Sequence, residues 1–138
     1  MRAINKIILH CAATPDGRHV TVEEIKQWHT GKPPKGRGWL DIGYHYVIHL
    51  DGSIHTGRPI ETAGAHTLNH NHDSIGICYV GGIDAKGNPM DTRTPQQRMA
   101  LNNIVTVLKH IYPSATVHGH NEFAAKACPS FDVQKEFK

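Results

Sequence analysis

The chain has 138 residues, with 15 Lys and Arg against 12 Asp and Glu, so its net charge is +3 with histidines neutral. That length fits one domain, residues 1–138, with a core of its own. Apolar residues at 38% and charged residues at 20% exclude a disordered chain, and no apolar run reaches the length of a membrane-spanning helix.

Residues 4–10 read as a first strand, with Ile4, Lys6, Ile8 and His10 on one face and Ile7, Leu9 and Cys11 on the other. Before it, the flanking Arg2 and Lys6 and the short Ile7-Ile8-Leu9 run do not make a secretory signal. The chain is expected to be made in the cytoplasm, unless a signal was removed ahead of this numbering. Thr21-Val22-Glu23-Glu24 is a capping box that opens a helix carrying Ile25 and Trp28. Residues 31–38 hold three Gly and two Pro and read as a loop. Asp51-Gly52 between residues 44–50 and 53–57 predicts a hairpin with a two-residue turn.

Residues 63–73 carry His66, His70 and His72 among Asn and Gly and read as an exposed polar loop. Residues 74–80 are apolar on both faces, as a central buried strand should be, and Gly76 implies that something packs closely over it. Thr94-Pro95-Gln96-Gln97 is a second capping box. The stripe Leu101, Ile104, Val105, Leu108 and Ile111 then defines an amphipathic helix. Residues 116–118 form a short strand and residues 132–137 a last helical turn. The expected fold class is α/β, a single-domain mixed central sheet flanked by helices.

Twelve histidines and three cysteines invite a metal reading. His10 ends the first strand, where a side chain can project into a cleft, whereas Cys11 points to the opposite face. Cys78 lies in the buried strand and reads as a small core residue. Cys128, in Lys126-Ala127-Cys128-Pro129-Ser130, lies in a polar segment from which a thiolate can reach a metal. His118 and His120 are two apart, and spacing leaves either free to join His10 and Cys128. Two His and one Cys leave a fourth tetrahedral position open, the pattern of catalytic zinc. The plainer reading stays open at this point: unrelated surface histidines, a loop cysteine, a core tyrosine at Tyr44 and a solvated lysine at Lys126.

Four segments then become familiar. They are Ile8-Leu9-His10-Cys11-Ala12-Ala13-Thr14; Gly38-Trp39-Leu40-Asp41-Ile42-Gly43-Tyr44-His45-Tyr46; Asn71-His72-Asp73-Ser74-Ile75-Gly76-Ile77-Cys78 with Gly81-Gly82; and His120-Asn121-Glu122-Phe123-Ala124-Ala125-Lys126-Ala127-Cys128-Pro129-Ser130-Phe131. With these the chain resembles the type 2 N-acetylmuramoyl-L-alanine amidases, whose fold is shared with peptidoglycan recognition proteins, and in particular the small phage amidases of the T7 lysozyme kind.

The resemblance implies zinc in a surface groove, one ion per chain, held by His10, His120 and Cys128. It implies a catalytic tyrosine at Tyr44, a catalytic lysine at Lys126 and a substrate-contacting histidine at His66. The implied reaction is hydrolysis of the amide between N-acetylmuramic acid and the L-alanine of the stem peptide, by an endolysin-type enzyme that reaches the wall after release from the cytoplasm. A tyrosine with an ordinary pKa near 10 suits a neutral hydrogen-bonding role better than that of a general base. His45, by alternation, faces away from Tyr44 and is expected to be structural or to support the site from behind.

The expected partner is peptidoglycan, with no nucleic acid, no membrane insertion and a monomeric chain. Two other classes compete. A non-catalytic peptidoglycan-binding module of the same fold commonly lacks the cysteine that stands here as Cys128. A metal-dependent nuclease, suggested by the basic charge, calls for a carboxylate cluster that the sequence does not show.

Overall fold

The computed structural model describes residues 2–137. Its centre is β1 (Lys6–Cys11), whose Ile7, Ile8 and Leu9 are fully buried. Strand β1 pairs in parallel with β5 (Ser74–Tyr79) on one side and with β7 (Thr116–Gly119) on the other. The five-stranded sheet is completed by β3 (Tyr46–Ile48), parallel to β5, and β4 (Ile54–Thr56), antiparallel to β3, in the order β4-β3-β5-β1-β7. Strands β2 (Thr14–Pro15) and β6 (Gly82–Ile83) form a separate parallel pair. The structure is therefore the expected mixed sheet with helices against it.

Parallel strands need cover on both faces, and alternation divides their side chains accordingly. Ile7, Leu9 and Cys11 of β1 join Ile75, Ile77 and Tyr79 of β5 against helix α2 (Pro95–Ile111) through Leu101, Ile104, Val105 and Leu108. On the other face Val47 and Cys78 pack with Ile25 of helix α1 (Val22–Thr30). Cys78 is the core residue its strand position implies. Each buried aliphatic side chain contributes about 1.5–3 kcal/mol, so this two-sided core is the main source of stability. Ile111 departs from the stripe: it is 58% exposed in the last turn of α2.

Both predicted capping boxes form. Thr21 accepts from the Glu24 N–H while Glu24 caps Thr21. Thr94 and Gln97 do the same. The buried Gln97 also donates from Nε2 to the Val80 carbonyl at 2.9 Å, so one side chain caps α2 and ties it to the end of β5. At the chain's end, α3 (Val133–Glu136) is locked by Arg93, which bridges Asp91 and Glu136 and lies over Phe131, 3.5 Å from its ring centroid.

Two expectations change. The β3–β4 turn is not a two-residue type, since types I′ and II′ both need positive φ at the first central position, here Asp51. Only Gly52 is left-handed (φ 86°), while Asp51 instead accepts from the Ser53 N–H and hydroxyl. Residues 63–73 are not a uniformly exposed loop: Gly64, Thr67 and Asp73 are buried, because the segment folds over the sheet face that carries His10. His70 packs its ring on Phe123, at 4.2 Å between centroids, while His72 is exposed.

Candidate metal centre and its cleft

Strand register builds the centre. Leu9 of β1 pairs with Gly119 of β7, so the residues that follow them, His10 still within β1 and His120 just past the end of β7, stand side by side. Their ring centroids are 4.6 Å apart. Both stand at the carboxyl ends of parallel strands, the edge where α/β sheets present ligands. His118 goes elsewhere. β7 ends at Gly119 and the chain turns at once, and His118 bonds Thr116 and Glu122 on the surface.

Cys128 comes from a loop held at several points. The Tyr79 hydroxyl donates to the Pro129 carbonyl at 2.6 Å, the Ser130 hydroxyl to the Gly82 carbonyl at 2.8 Å, and the Asn121 N–H to the Cys128 carbonyl at 2.8 Å. The Cys11 N–H donates to Cys128 Sγ at 3.2 Å. Cys11 thus supports the candidate ligand with its backbone, and its side chain, on the core face as alternation requires, adjoins the Cys128 thiol.

His10, His120 and Cys128 form a group of possible metal ligands among the described residues, their donor atoms all within 4.8 Å of one another. The set fits zinc. Bond lengths of about 2.0–2.1 Å to nitrogen and about 2.3 Å to sulfur at tetrahedral angles place the two donors about 3.6 Å apart. His10 Nδ1 and Cys128 Sγ are 3.7 Å apart. Burial, then His66, His120 and Lys126, hold the His10 pKa well below its ordinary value, and burial and Lys126 lower that of His120. Both imidazoles are therefore neutral at pH 7, the form that binds metals. The adjoining Cys11 thiol and burial push the Cys128 thiol up; a cation within reach would make its thiolate the stable form.

His10 and His120 line a cleft of about 530 Å³, whose walls also include Tyr44, His66 and Lys126. Tyr44 sits in the bend before β3 rather than within the strand, its ring centroid 5.1 Å from that of His10. Burial first, then the three cysteines, raises its pKa well above 10, so it is a neutral phenol. Lys126 is exposed on the turn before Cys128 and borders the same space. His45 is structural: its Nδ1 accepts from the Gly76 N–H and its Nε2 faces the Thr62 carbonyl.

His29, Arg37 and Trp39 also line the cleft, and sequence reasoning did not select them. His29 Nδ1 accepts from the Gly43 N–H at 2.9 Å, which fixes its ring beside Trp39 and Tyr44. No local pattern marks a histidine in the last turn of a short helix for such a place.

The fold and this centre define a class, an enzyme whose cleft is built on a two-imidazole, one-thiol donor set. Residues 1–131 match the family described as N-acetylmuramoyl-L-alanine amidase. The chain is 46% identical over 134 residues to the endolysin of Enterobacteria phage K11, covering 97% of this chain and 85% of that one. Among solved structures it resembles the N-acetylmuramoyl-L-alanine amidase LysC from Clostridium intestinale URNW, with a TM-score of 0.81 and 27% identity over 98% of this chain and 82% of LysC. It also resembles Drosophila PGRP-LB, with a TM-score of 0.76 and 25% identity over 94% and 76% of the two chains. The chain belongs to the N-acetylmuramoyl-L-alanine amidase family and is a hydrolase of that amide bond in bacterial cell-wall peptidoglycan.

Proposed function

We propose that this amidase is zinc-dependent, that His10, His120 and Cys128 hold the ion, and that Tyr44 and Lys126 act on the scissile amide. The observation that carries this is the grouping of the three donors within 4.8 Å, two of which, His10 and His120, line the cleft that Tyr44 and Lys126 also line. When bound, zinc supplies Lewis acidity that polarises a carbonyl and makes water nucleophilic at neutral pH.

The protein's own groups do the rest. The Tyr44 phenol, kept neutral by burial, donates a hydrogen bond to the carbonyl oxygen or to the attacking water and so aligns them. Lys126 brings its ammonium to the oxygen on which negative charge develops. A donor placed on a developing oxyanion lowers the barrier by about 2.7–4 kcal/mol. The open cleft suits a peptide branch on a polymer, which a closed cavity would exclude.

As an endolysin-type enzyme the chain would be made in the cytoplasm and act on the wall after release, with the muramyl-peptide stem as its partner and as a monomer. No helix among the described residues is long and apolar enough to cross a membrane. The test is digestion of purified cell wall with metal-loaded, chelated and zinc-restored protein. New L-alanine amino termini should appear, vanish on chelation and return with zinc. Activity that survives complete metal removal would overturn zinc dependence.

A further inference from the structure

The geometry points to His66 as a positioning residue: it holds His10 in the tautomer and orientation that a metal needs. This rests on the reading that His10, His120 and Cys128 hold zinc.

A neutral imidazole has one N–H and one lone pair. His10 turns Nδ1 toward Cys128 Sγ, at 3.7 Å, and Nε2 toward His66 Nδ1, at 2.9 Å. For Nδ1 to offer its lone pair to a cation, the proton must sit on Nε2, and a buried N–H needs an acceptor. His66 Nδ1 is that acceptor. The Thr67 hydroxyl lies 2.9 Å from the same nitrogen and 3.3 Å from His10 Nε2, so it serves the same contact. His66 then carries its own proton on Nε2, which faces Ser74 Oγ at 3.3 Å. This proton arrangement satisfies the whole chain from Ser74 through His66 to His10.

Two glycines make room for this ring. A Cβ on Gly76 would stand 2.6 Å from His66 Cδ2 and 2.7 Å from its Cγ, and a Cβ on Gly64 would also stand 2.6 Å from Cδ2. The backbone is fixed as well, since the N–H groups of His66 and Thr67 both donate to Asn71 Oδ1. Both ring nitrogens of His66 are thereby engaged within the protein. Its part in the reaction runs through His10, whereas the family resemblance implies contact with substrate.

The test is zinc affinity, read by competition with a chromophoric chelator on wild type, His66→Phe, His66→Asn and Cys128→Ala. His66→Phe keeps a ring over the glycines and removes the acceptor. His66→Asn restores an acceptor at the position of Nδ1. Loss of such a supporting group typically costs about 10–100-fold in metal affinity. His66→Phe should lose zinc affinity by that factor, His66→Asn should recover most of it, and the metal-free thermal midpoint of His66→Asn should stay near wild type.

Equal zinc affinity in wild type and His66→Asn alone does not separate acceptor from packing, so His66→Phe decides: if it folds and binds zinc as wild type does, the proposal fails. If His66→Phe does not fold, the tautomer of His10 in the metal-free wild type decides instead. Nitrogen-15 NMR should find the proton on Nε2; a proton on Nδ1 overturns the assignment. A different result, wild type and Cys128→Ala binding zinc equally, would show that the ligand reading itself has failed.

Discussion

Leu9 and Gly119 are register partners across β1 and β7, and that pairing brings His10 and His120 together at the sheet's carboxyl edge. The third donor, Cys128, arrives on a loop tied to Tyr79 and Gly82, so it can be removed without disturbing the sheet. Cys128→Ala is expected to leave the unfolding midpoint of the metal-free protein close to wild type and to abolish both stoichiometric zinc and amide cleavage. Metal analysis by mass spectrometry beside calorimetry of the chelated protein checks both halves. Full zinc content in the variant would remove Cys128 from the ligand set.

Tyr44→Phe tests the neutral-phenol role. The ring still packs against His10, and only the hydroxyl is lost. The expected drop in kcat is about 10²–10³-fold with KM little changed, the effect of deleting one donor that acts mainly in the transition state. Because burial holds Tyr44 un-ionised, the wild-type rate profile should show no limb from a tyrosine ionising below pH 10. A tyrosine-dependent limb there, absent from Tyr44→Phe, would count against this role.

Both capping boxes, the α2 stripe and the buried β5 strand were legible in the sequence because each is a pattern over a few neighbouring residues. The close packing over Gly76 was legible too, though not its partner: His66 lies ten residues away in sequence and reaches it by the folding back of residues 63–73. Alternation could not choose between His118 and His120, since it assumes that the strand continues and β7 stops at Gly119. The family resemblance implied His120, and the structure groups His120 with His10 and Cys128. The cleft walls at His29 and Arg37 depend on where the end of α1 and the Gly- and Pro-rich loop after it are carried by the rest of the fold, which short-range patterns do not encode.

Gln97→Ala should destabilise the protein through two losses. The Val80 carbonyl loses its donor inside the core, and α2 loses half of its capping box. A buried carbonyl left unpaired costs about 1–3 kcal/mol, and the weakened cap adds to that. Urea unfolding should show a lower midpoint with an unchanged slope. Metal affinity should be unaffected, because α2 packs on the sheet face away from His10. A stability within error of wild type would mean that water replaces the amide at Val80.

Acid should weaken the fold before it protonates the carboxylates, and His45 is a principal reason. It is 1% exposed, and burial lowers its pKa from 6.5 to about 4. Its Nδ1 lone pair is already used by the Gly76 N–H. His29 is lowered to about 4 and His66 to about 3, burial being the first cause in each. Between pH 6.5 and 4 the unfolded chain takes up protons at these positions and the folded chain does not, so stability rises with pH across that window. It is fully present above 6.5 and lost as pH falls toward 4. Chelator-treated protein keeps zinc release out of the measurement. Urea unfolding at pH 7.5, 6 and 4.5 should then show a falling free energy, with a shallower fall in His45→Asn. A wild-type stability that is flat across that range would show that His45 is protonated in the folded state.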